Sequence, residues 1–242
     1  MDAKAYESLK DQQDEHWWFA GRRKIIRRLL EKYCNFGKGS RILEAGCGYG
    51  GNLSLLSEFG DLDAFEFNES AREFASNLSG IEVLPGKLPD GLQLGARAYD
   101  VIALLDVLEH IDEDTASLKA LAAQLSNQGR ILITVPAFQW LWSAHDETHH
   151  HKRRYSRQQL EECIRSADLR VVNTGYFNTL LFPLTLGERG FSRLRRATGR
   201  GTDIPPPLIN TLFKGIFGLE RHLVGRVRMP VGLSLFAVAE KK

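Results

Sequence analysis

Three glycines and two carboxylates at set spacing are the first residues in this sequence that could organise chemistry. In Ile42 to Gly51, which reads ILEAGCGYGG, Gly46, Gly48 and Gly50 let the chain turn tightly and approach a ligand where a Cβ would clash. By itself the loop has two readings, because Gly46, Gly48 and Gly51 also satisfy the dinucleotide pattern G-x-G-x-x-G, and Glu66 stands at the acidic spacing of that pattern. A nicotinamide cofactor is one alternative at this point. Glu44 separates the two, since a carboxylate ending a buried strand needs a donor or cation to face and would repel a pyrophosphate. A ligand with an ammonium and a sulfonium group meets that need. Glu66 can accept hydrogen bonds from both ribose hydroxyls of either nucleoside. Cys47 is a small residue between two glycines with no basic neighbour in sequence, and it is assigned to the loop rather than to nucleophilic chemistry.

A second group lies further on. His145, Asp146, His149, His150 and His151 are suitable ligands for zinc or iron, but their spacing is tight for a preformed site and no metal is assigned. A histidine here can instead serve as a base near neutral pH. Arg153, Arg154 and Tyr155 offer donors for a phosphate or carboxylate on an acceptor, or form a solvated basic helix start. Trp17, Trp18 and Phe19, with Trp140 and Trp142, either line an acceptor pocket as a lid or pack an N-terminal helix. Glu109 and His110 read as the start of the helix after the fourth strand, at the pocket rim or simply exposed.

The elements that must position these groups follow from periodicity. A helix is predicted from Ala5 to about Lys32, with Ile25, Ile26, Leu29 and Leu30 at helical spacing. Strand Arg41 to Ala45, the glycine turn and helix Asn52 to Phe59 form a strand, turn and helix unit. The rhythm repeats as strand Asp63 to Phe67, helix Glu69 to Leu78, strand Ile81 to Leu84, strand Tyr99 to Leu105, helix Asp114 to Leu125 and strand Gly129 to Val135. Such alternation predicts a parallel sheet covered on both faces, with ligand outside the carboxyl ends of the strands. Helix Ser156 to Ala167, a strand near Arg170 to Gly175, an apolar and basic insertion from Leu180 to Arg228 and a last strand Val231 to Ala239 complete the pattern.

Composition sets the outer bounds. With 242 residues, 43% apolar and 26% charged, the chain can bury a core and lies far from disordered composition. A net charge of +2 does not imply nucleic-acid binding, although Arg22 to Arg28, Lys152 to Arg157 and Arg189 to Arg200 are local basic clusters. Three widely spaced cysteines suggest neither disulfides nor a thiolate zinc site, so a reducing cytoplasm is the expected home. The stretch Met1 to His16 lacks the apolar core of a signal peptide, and no apolar run approaches the ~20 residues of a membrane-spanning helix. Leu208 to Arg228 mixes apolar and basic residues in a way that suits a membrane-surface helix, an amphipathic lid or a dimer contact.

Taken together, Glu44-Ala-Gly46-Cys-Gly48-Tyr-Gly50, Glu66 and Asp100 to His110 (DVIALLDVLEH) resemble the class I S-adenosylmethionine-dependent methyltransferases. HWWF at His16 to Phe19, followed by Arg22 and Arg23, and SAHDETHHHKRRY at Ser143 to Tyr155 look like a bacterial type 11 or type 12 subgroup. The resemblance implies an α/β fold, a Rossmann-like three-layer sandwich. Its seven-stranded sheet would be mostly parallel with an antiparallel last strand, carrying N-terminal helices and a helical insertion before that strand. One domain is expected over 1–242, with a helical cap in 1–36, a cofactor-binding core in 37–136 and an acceptor-side segment in 137–242. The implied cofactor contacts are Glu44, Gly46, Cys47, Gly48, Gly50, Glu66, Phe67, Leu88, Asp106 and Val107. The segment Pro85 to Leu88 reads PGKL where the family often places an acidic residue against adenine, so Leu88 is taken as an apolar wall. His145 and His151 fit the family pattern as base or acceptor anchor, with Asp146 orienting one of them. Trp18, Trp140, Arg153, Arg154 and Tyr155 complete the expected acceptor side. The expected reaction uses S-adenosylmethionine, yields S-adenosylhomocysteine and methylates a small or amphiphilic acceptor, with no nucleic-acid partner. A nicotinamide oxidoreductase and a non-catalytic adenosyl-binding scaffold are the competing readings.

Overall fold

The computed structural model describes residues 15–37, 39–95, 97–187 and 205–242. Seven apolar segments pair into one sheet: β1 (Arg41–Ala45), β2 (Asp61–Glu66), β3 (Val83–Pro85), β4 (Tyr99–Leu105), β5 (Leu125–Pro136), β6 (Leu169–Phe177) and β7 (Ser234–Lys241). Their spatial order is β3-β2-β1-β4-β5-β7-β6, so β7 enters between two strands that precede it in the chain. The β1, β2, β3, β4 and β5 neighbours pair in parallel, while β7 runs antiparallel to both β5 and β6. The described helices, in chain order, are α1 (Trp17–Tyr33), α2 (Leu53–Ser57), α3 (Glu69–Ser79), α4 (Asp114–Ala123), α5 (Ala144–Thr148), α6 (Arg157–Ser166) and α7 (Pro207–Leu219).

Register and the two-residue side-chain period together build a core on each face. Leu43, Ile102, Ile131 and Ala239 are successive partners across four strands and meet Leu118, Leu121, Leu160 and Ile164 of α4 and α6. The adjacent row, Ala103, Leu132 and Val238, points the other way, toward Ile25, Ile26, Leu29 and Leu30 of α1 and Phe217 of α7. Strands buried on both faces explain the near-continuous apolar runs. The result is the expected three-layer Rossmann-like sandwich.

Several boundaries differ from the sequence expectation. The described helix α1 starts at Trp17, where the His16 side chain accepts the Trp18 N–H, and the predicted turns from Ala5 lie outside the described residues. β5 begins at Leu125, not Gly129, because Leu125 pairs with Tyr99 beyond a register shift in β4. Glu109 and His110 do not open a helix. They close the 3-10 turn Leu108–His110, after which Ile111 is extended and α4 starts at Asp114. The basic cluster Arg189 to Arg200 lies outside the described residues. In the rest of the insertion, α7 packs on α1 through Trp17 against Phe213 and Phe217, and leaves Leu208, Ile209, Leu212 and Leu219 exposed. Among the described residues, no helix is long and apolar enough to cross a membrane.

Candidate active site

β1, β2 and β4 end at one edge of the sheet, and the backbone there is unusual. Gly46 (φ 75°) and Gly48 (φ 55°) are left-handed. A Cβ on Gly46 would lie 3.0 Å from Val107 Cγ2, whereas one on Gly48 would meet nothing within 4 Å among the described residues. The loop therefore packs tightly on the turn after β4 and keeps a Cβ-free face toward open space. Asp106 (φ 58°), Phe138 (φ 60°) and His150 (φ 53°) are also left-handed without being glycine. Such backbone costs about 1–3 kcal/mol per residue and concentrates at functional sites.

Glu44 is 1% exposed. Its Oε1 accepts a hydrogen bond from Asn52 Nδ2 at 2.9 Å, and Oε2 has no hydrogen-bond partner among the described residues. Burial pushes the carboxyl up to about 7; the Asn52 bond and the Arg22 charge oppose the rise, and Glu66 adds to it. Glu66 is fixed differently, accepting Gly48 N–H at Oε2 and Asn68 N–H at Oε1, both at 2.8 Å. Each of its oxygens keeps acceptor capacity for a ribose hydroxyl. The Cys47 thiol is buried and pushed upward, first by burial and then by Glu44 and Glu66, so it stays protonated.

Arg22 ties α1 to this edge. Its Nη2 lies 2.7 Å from Asp106 Oδ2 and donates to Thr134 Oγ1 at 3.2 Å, while the Thr134 hydroxyl donates to Asp106 Oδ1 at 3.1 Å. Trp18 lies against the guanidinium, 5.2 Å from ring centroid to Cζ. Arg22, Asn52 and Thr134 were not among the expected site residues. For Arg22 a signal existed: helical period puts it on the stripe of Ile25, Ile26 and Leu29, where a charge needs a partner.

The histidine segment is built around Asp146, which is fully buried. Its Oδ1 bonds His151 Nδ1 at 2.9 Å and Arg154 Nε at 2.7 Å, and its Oδ2 accepts Ser143 N–H at 2.9 Å. Burial alone would raise this carboxyl, but the bonds from His151 and Arg154 and the Arg154 charge hold it well below the usual range. His145 is exposed and lies against His149, with ring centroids 4.2 Å apart. His149 is buried, and burial followed by the neighbouring His151 pushes it down to about 4, so it is neutral near pH 7. The fold also brings in residues from the turn after β4. The rings of His110 and His151 are 4.7 Å apart, and Lys152 N–H donates to Glu109 O at 2.7 Å.

The remaining expected residues divide. Leu88 is buried in the core, Phe67 is 69% exposed beneath Lys87, and Val107 packs on Gly46. Arg153 and Arg154, read from sequence as donors for an acceptor anion, are engaged internally: Arg153 with Asp114 at 2.7 Å and the Asp112 carbonyl, Arg154 with Asp146 and the Ala137 carbonyl. Tyr155 is buried, and its hydroxyl donates to Asp114 at 2.9 Å. Trp140 is 56% exposed beside Phe138 and Phe182.

These features fit S-adenosylmethionine. An unsatisfied buried carboxylate at Glu44 suits an ammonium group, Glu66 suits a ribose, and the open side of Gly48 admits a ligand close to the backbone. The antiparallel β7 between β5 and β6 also departs from the 3-2-1-4-5-6 order of a dinucleotide fold.

Comparison with known proteins agrees. The chain is 25% identical over 131 residues to a Mycobacterium tuberculosis H37Rv protein named a probable S-adenosylmethionine-dependent methyltransferase. That match covers 53% of this chain and 46% of the relative, so the chain spans about half the relative's length. Its fold is similar to a SAM-dependent methyltransferase from Archaeoglobus fulgidus, with TM-score 0.59, 16% identity and coverage of 90% of this chain and 94% of that one. An S-adenosylmethionine-dependent methyltransferase from Clostridium acetobutylicum gives TM-score 0.60 at 12% identity, covering 99% and 97% of the two chains. Residues 15–174, which carry the glycine loop, Glu44, Glu66, Asp106 and the histidine segment, match the methyltransferase-domain family, and the chain belongs to that family.

Proposed function

We propose that this protein transfers the methyl group of S-adenosylmethionine to a small or amphiphilic acceptor, leaving S-adenosylhomocysteine. The observation that carries the reading is the buried Glu44 oxygen without a partner among the described residues, set against the open glycine loop. When bound, the cofactor supplies an electrophilic methyl group on sulfur. The chain's own contribution is placement, which can supply several kcal/mol of rate enhancement, about 7–11 in well-oriented systems. Ionised Glu44 would face the ammonium group, Glu66 would hold the ribose, and Asp106, held by Arg22 and Thr134, would form the wall with Val107. Proton removal from the acceptor falls to the histidine segment, where Asp146 orients His151. An amphiphilic acceptor is supported by the exposed apolar side chains of Trp140, Leu180 and Leu184 and by the exposed face of α7.

Calorimetric titration with S-adenosylmethionine, S-adenosylhomocysteine and NADH, repeated on Glu66→Ala, tests the reading. Both adenosyl ligands should bind the unaltered protein, the substitution should weaken both, and NADH should not bind. Binding of NADH alone, or no adenosyl binding by folded protein, would overturn the proposal, and adenosyl binding with no methylation of any acceptor would favour a scaffold. An acceptor screen in which only neutral, polar compounds are methylated would overturn the amphiphilic assignment.

A further inference from the structure

We infer that Glu109, His110 and His151 form a binding site for a divalent transition-metal cation of the zinc class. The three come from two segments, the turn after β4 and the loop after α5, and their ligating atoms lie within 4.8 Å of one another. Ligands about 2.0–2.2 Å from one tetrahedral ion stand about 3.3–3.6 Å apart, so a pair at the limit of that spread would close by roughly an ångström on binding. Two imidazoles and one carboxylate are a three-ligand set used by zinc and non-haem iron, and they leave a coordination position open.

Three observations point to a cation rather than to packing alone. First, Glu109 is 1% exposed and its Oε2 has no hydrogen-bond partner among the described residues. A buried carboxylate oxygen left this way is costly, and a cation would satisfy it. Second, one imidazole is held from behind: His151 Nδ1 bonds Asp146, itself fixed by Arg154 and Ser143, which leaves Nε2 as its other ring nitrogen, and the His110 ring stands edge-on to it at 4.7 Å. Such outer partners set the tautomer and ring orientation of metal-bound histidines. Third, the two segments are joined by the Lys152 N–H to Glu109 O bond, beside the left-handed His150. His149, whose buried Nε2 also has no partner among the described residues, lies 6.0 Å from His151 ring to ring.

The sequence expectation assigned no metal because the spacing of His145 to His151 is tight and the methyl donor already carries the electrophile. Glu109 and His110 supply the missing span. An acceptor hydroxyl in the open position would be acidified and release its proton to solvent, so that His151 would serve as a ligand in place of a free imidazole base. This last step rests on the proposed methyl transfer, whereas the cation site does not.

Tag-free full-length protein, stripped with a chelator and dialysed, is titrated with Zn2+ by calorimetry and with Co2+ by visible absorption. One equivalent of each should bind, with cobalt bands of low coordination number. Glu109→Gln and His110→Ala should each weaken binding by at least about tenfold, and Asp146→Asn by about 10–100-fold through the orienting bond. Far-UV circular dichroism confirms folding, and Glu109→Gln, nearly isosteric, remains decisive if a histidine variant unfolds. No saturable binding by folded protein, or binding unchanged in both Glu109→Gln and His110→Ala, overturns the site. S-adenosylmethionine titration of the same stripped protein separates the two proposals: cation binding without adenosyl binding leaves this site standing and removes the methyl-transfer reading.

Discussion

Glu44, near the end of β1, and Glu109, in the 3-10 turn after the adjacent β4, are each 1% exposed and each have one oxygen lacking a partner among the described residues, yet the balance of charge around them differs. Burial raises both carboxyls. Around Glu44 the Asn52 amide and the Arg22 charge oppose that rise and leave it near 7. Around Glu109 the next contribution is the like charge of Asp106, and the smaller opposing effects of its backbone bond, Arg22 and Arg154 leave it well above the ordinary range. Equal burial therefore does not give equal chemistry. The donor beside Glu44 prepares it to meet a soluble cation at neutral pH, whereas Glu109 needs a stronger positive partner to ionise at all.

The largest expected effect comes from breaking the arginine on each side. Arg22→Met would leave Asp106 without its cation, and Arg154→Met would do the same to the fully buried Asp146. Each should cost about 3–5 kcal/mol in urea unfolding. Ligand binding separates the two variants: Arg22→Met should also lose S-adenosylmethionine affinity, and Arg154→Met should retain it. Loss of affinity in both variants would show that the two regions are one site rather than two.

Next in size is a pH effect confined to the Glu44 side. Because a cation requires the ionised carboxylate, S-adenosylmethionine affinity should rise about tenfold from pH 6 to pH 8 through the value near 7. Linkage gives the matching sign in free protein. A carboxyl raised from 4.5 to about 7 by folding contributes stability below 4.5 that is lost as pH climbs through 7, so the cofactor-induced rise in Tm should grow over that window. In Glu44→Gln the affinity should be low and flat with pH. A slope that survives the substitution would assign the titration elsewhere.

The smallest expected effect is Gly46→Ala, which combines a positive φ with a 3.0 Å approach to Val107. It should cost about 1–2 kcal/mol. Adding Val107→Ala should recover only the part due to contact.

The two regions also differ in how far sequence reveals them. The glycine loop, Glu44 and Glu66 lie within one strand, turn, helix and strand passage, where backbone geometry fixes residue type locally, so their place was legible. The sheet followed for the same reason, from apolar runs of strand length. Arg22 and Thr134 reach the site only through packing of α1 on the ends of β4 and β5, a contact that no short pattern encodes. Glu109 and His110 were read as a helix start because spacing cannot show the left-handed Asp106 that turns them inward. Arg153 and Tyr155 were read outward for the converse reason: Asp114, which holds both, is distant in sequence.

The position of β7 imposes an order of events on the making of the fold. β6 leaves the ribosome long before Ser234–Lys241, yet among the described strands its sheet partner is β7, which pairs with it from Leu169 to Phe177. During synthesis β5 and β6 therefore present unpaired edges while the insertion is still being translated, and each is a template for pairing with another chain. The charged side chains Arg130 and Arg170, which both meet Glu240 once β7 is in place, stand at those edges in the interval. A charge at such an edge disfavours pairing with another chain, and in the finished ladder the same two side chains are neutralised by Glu240.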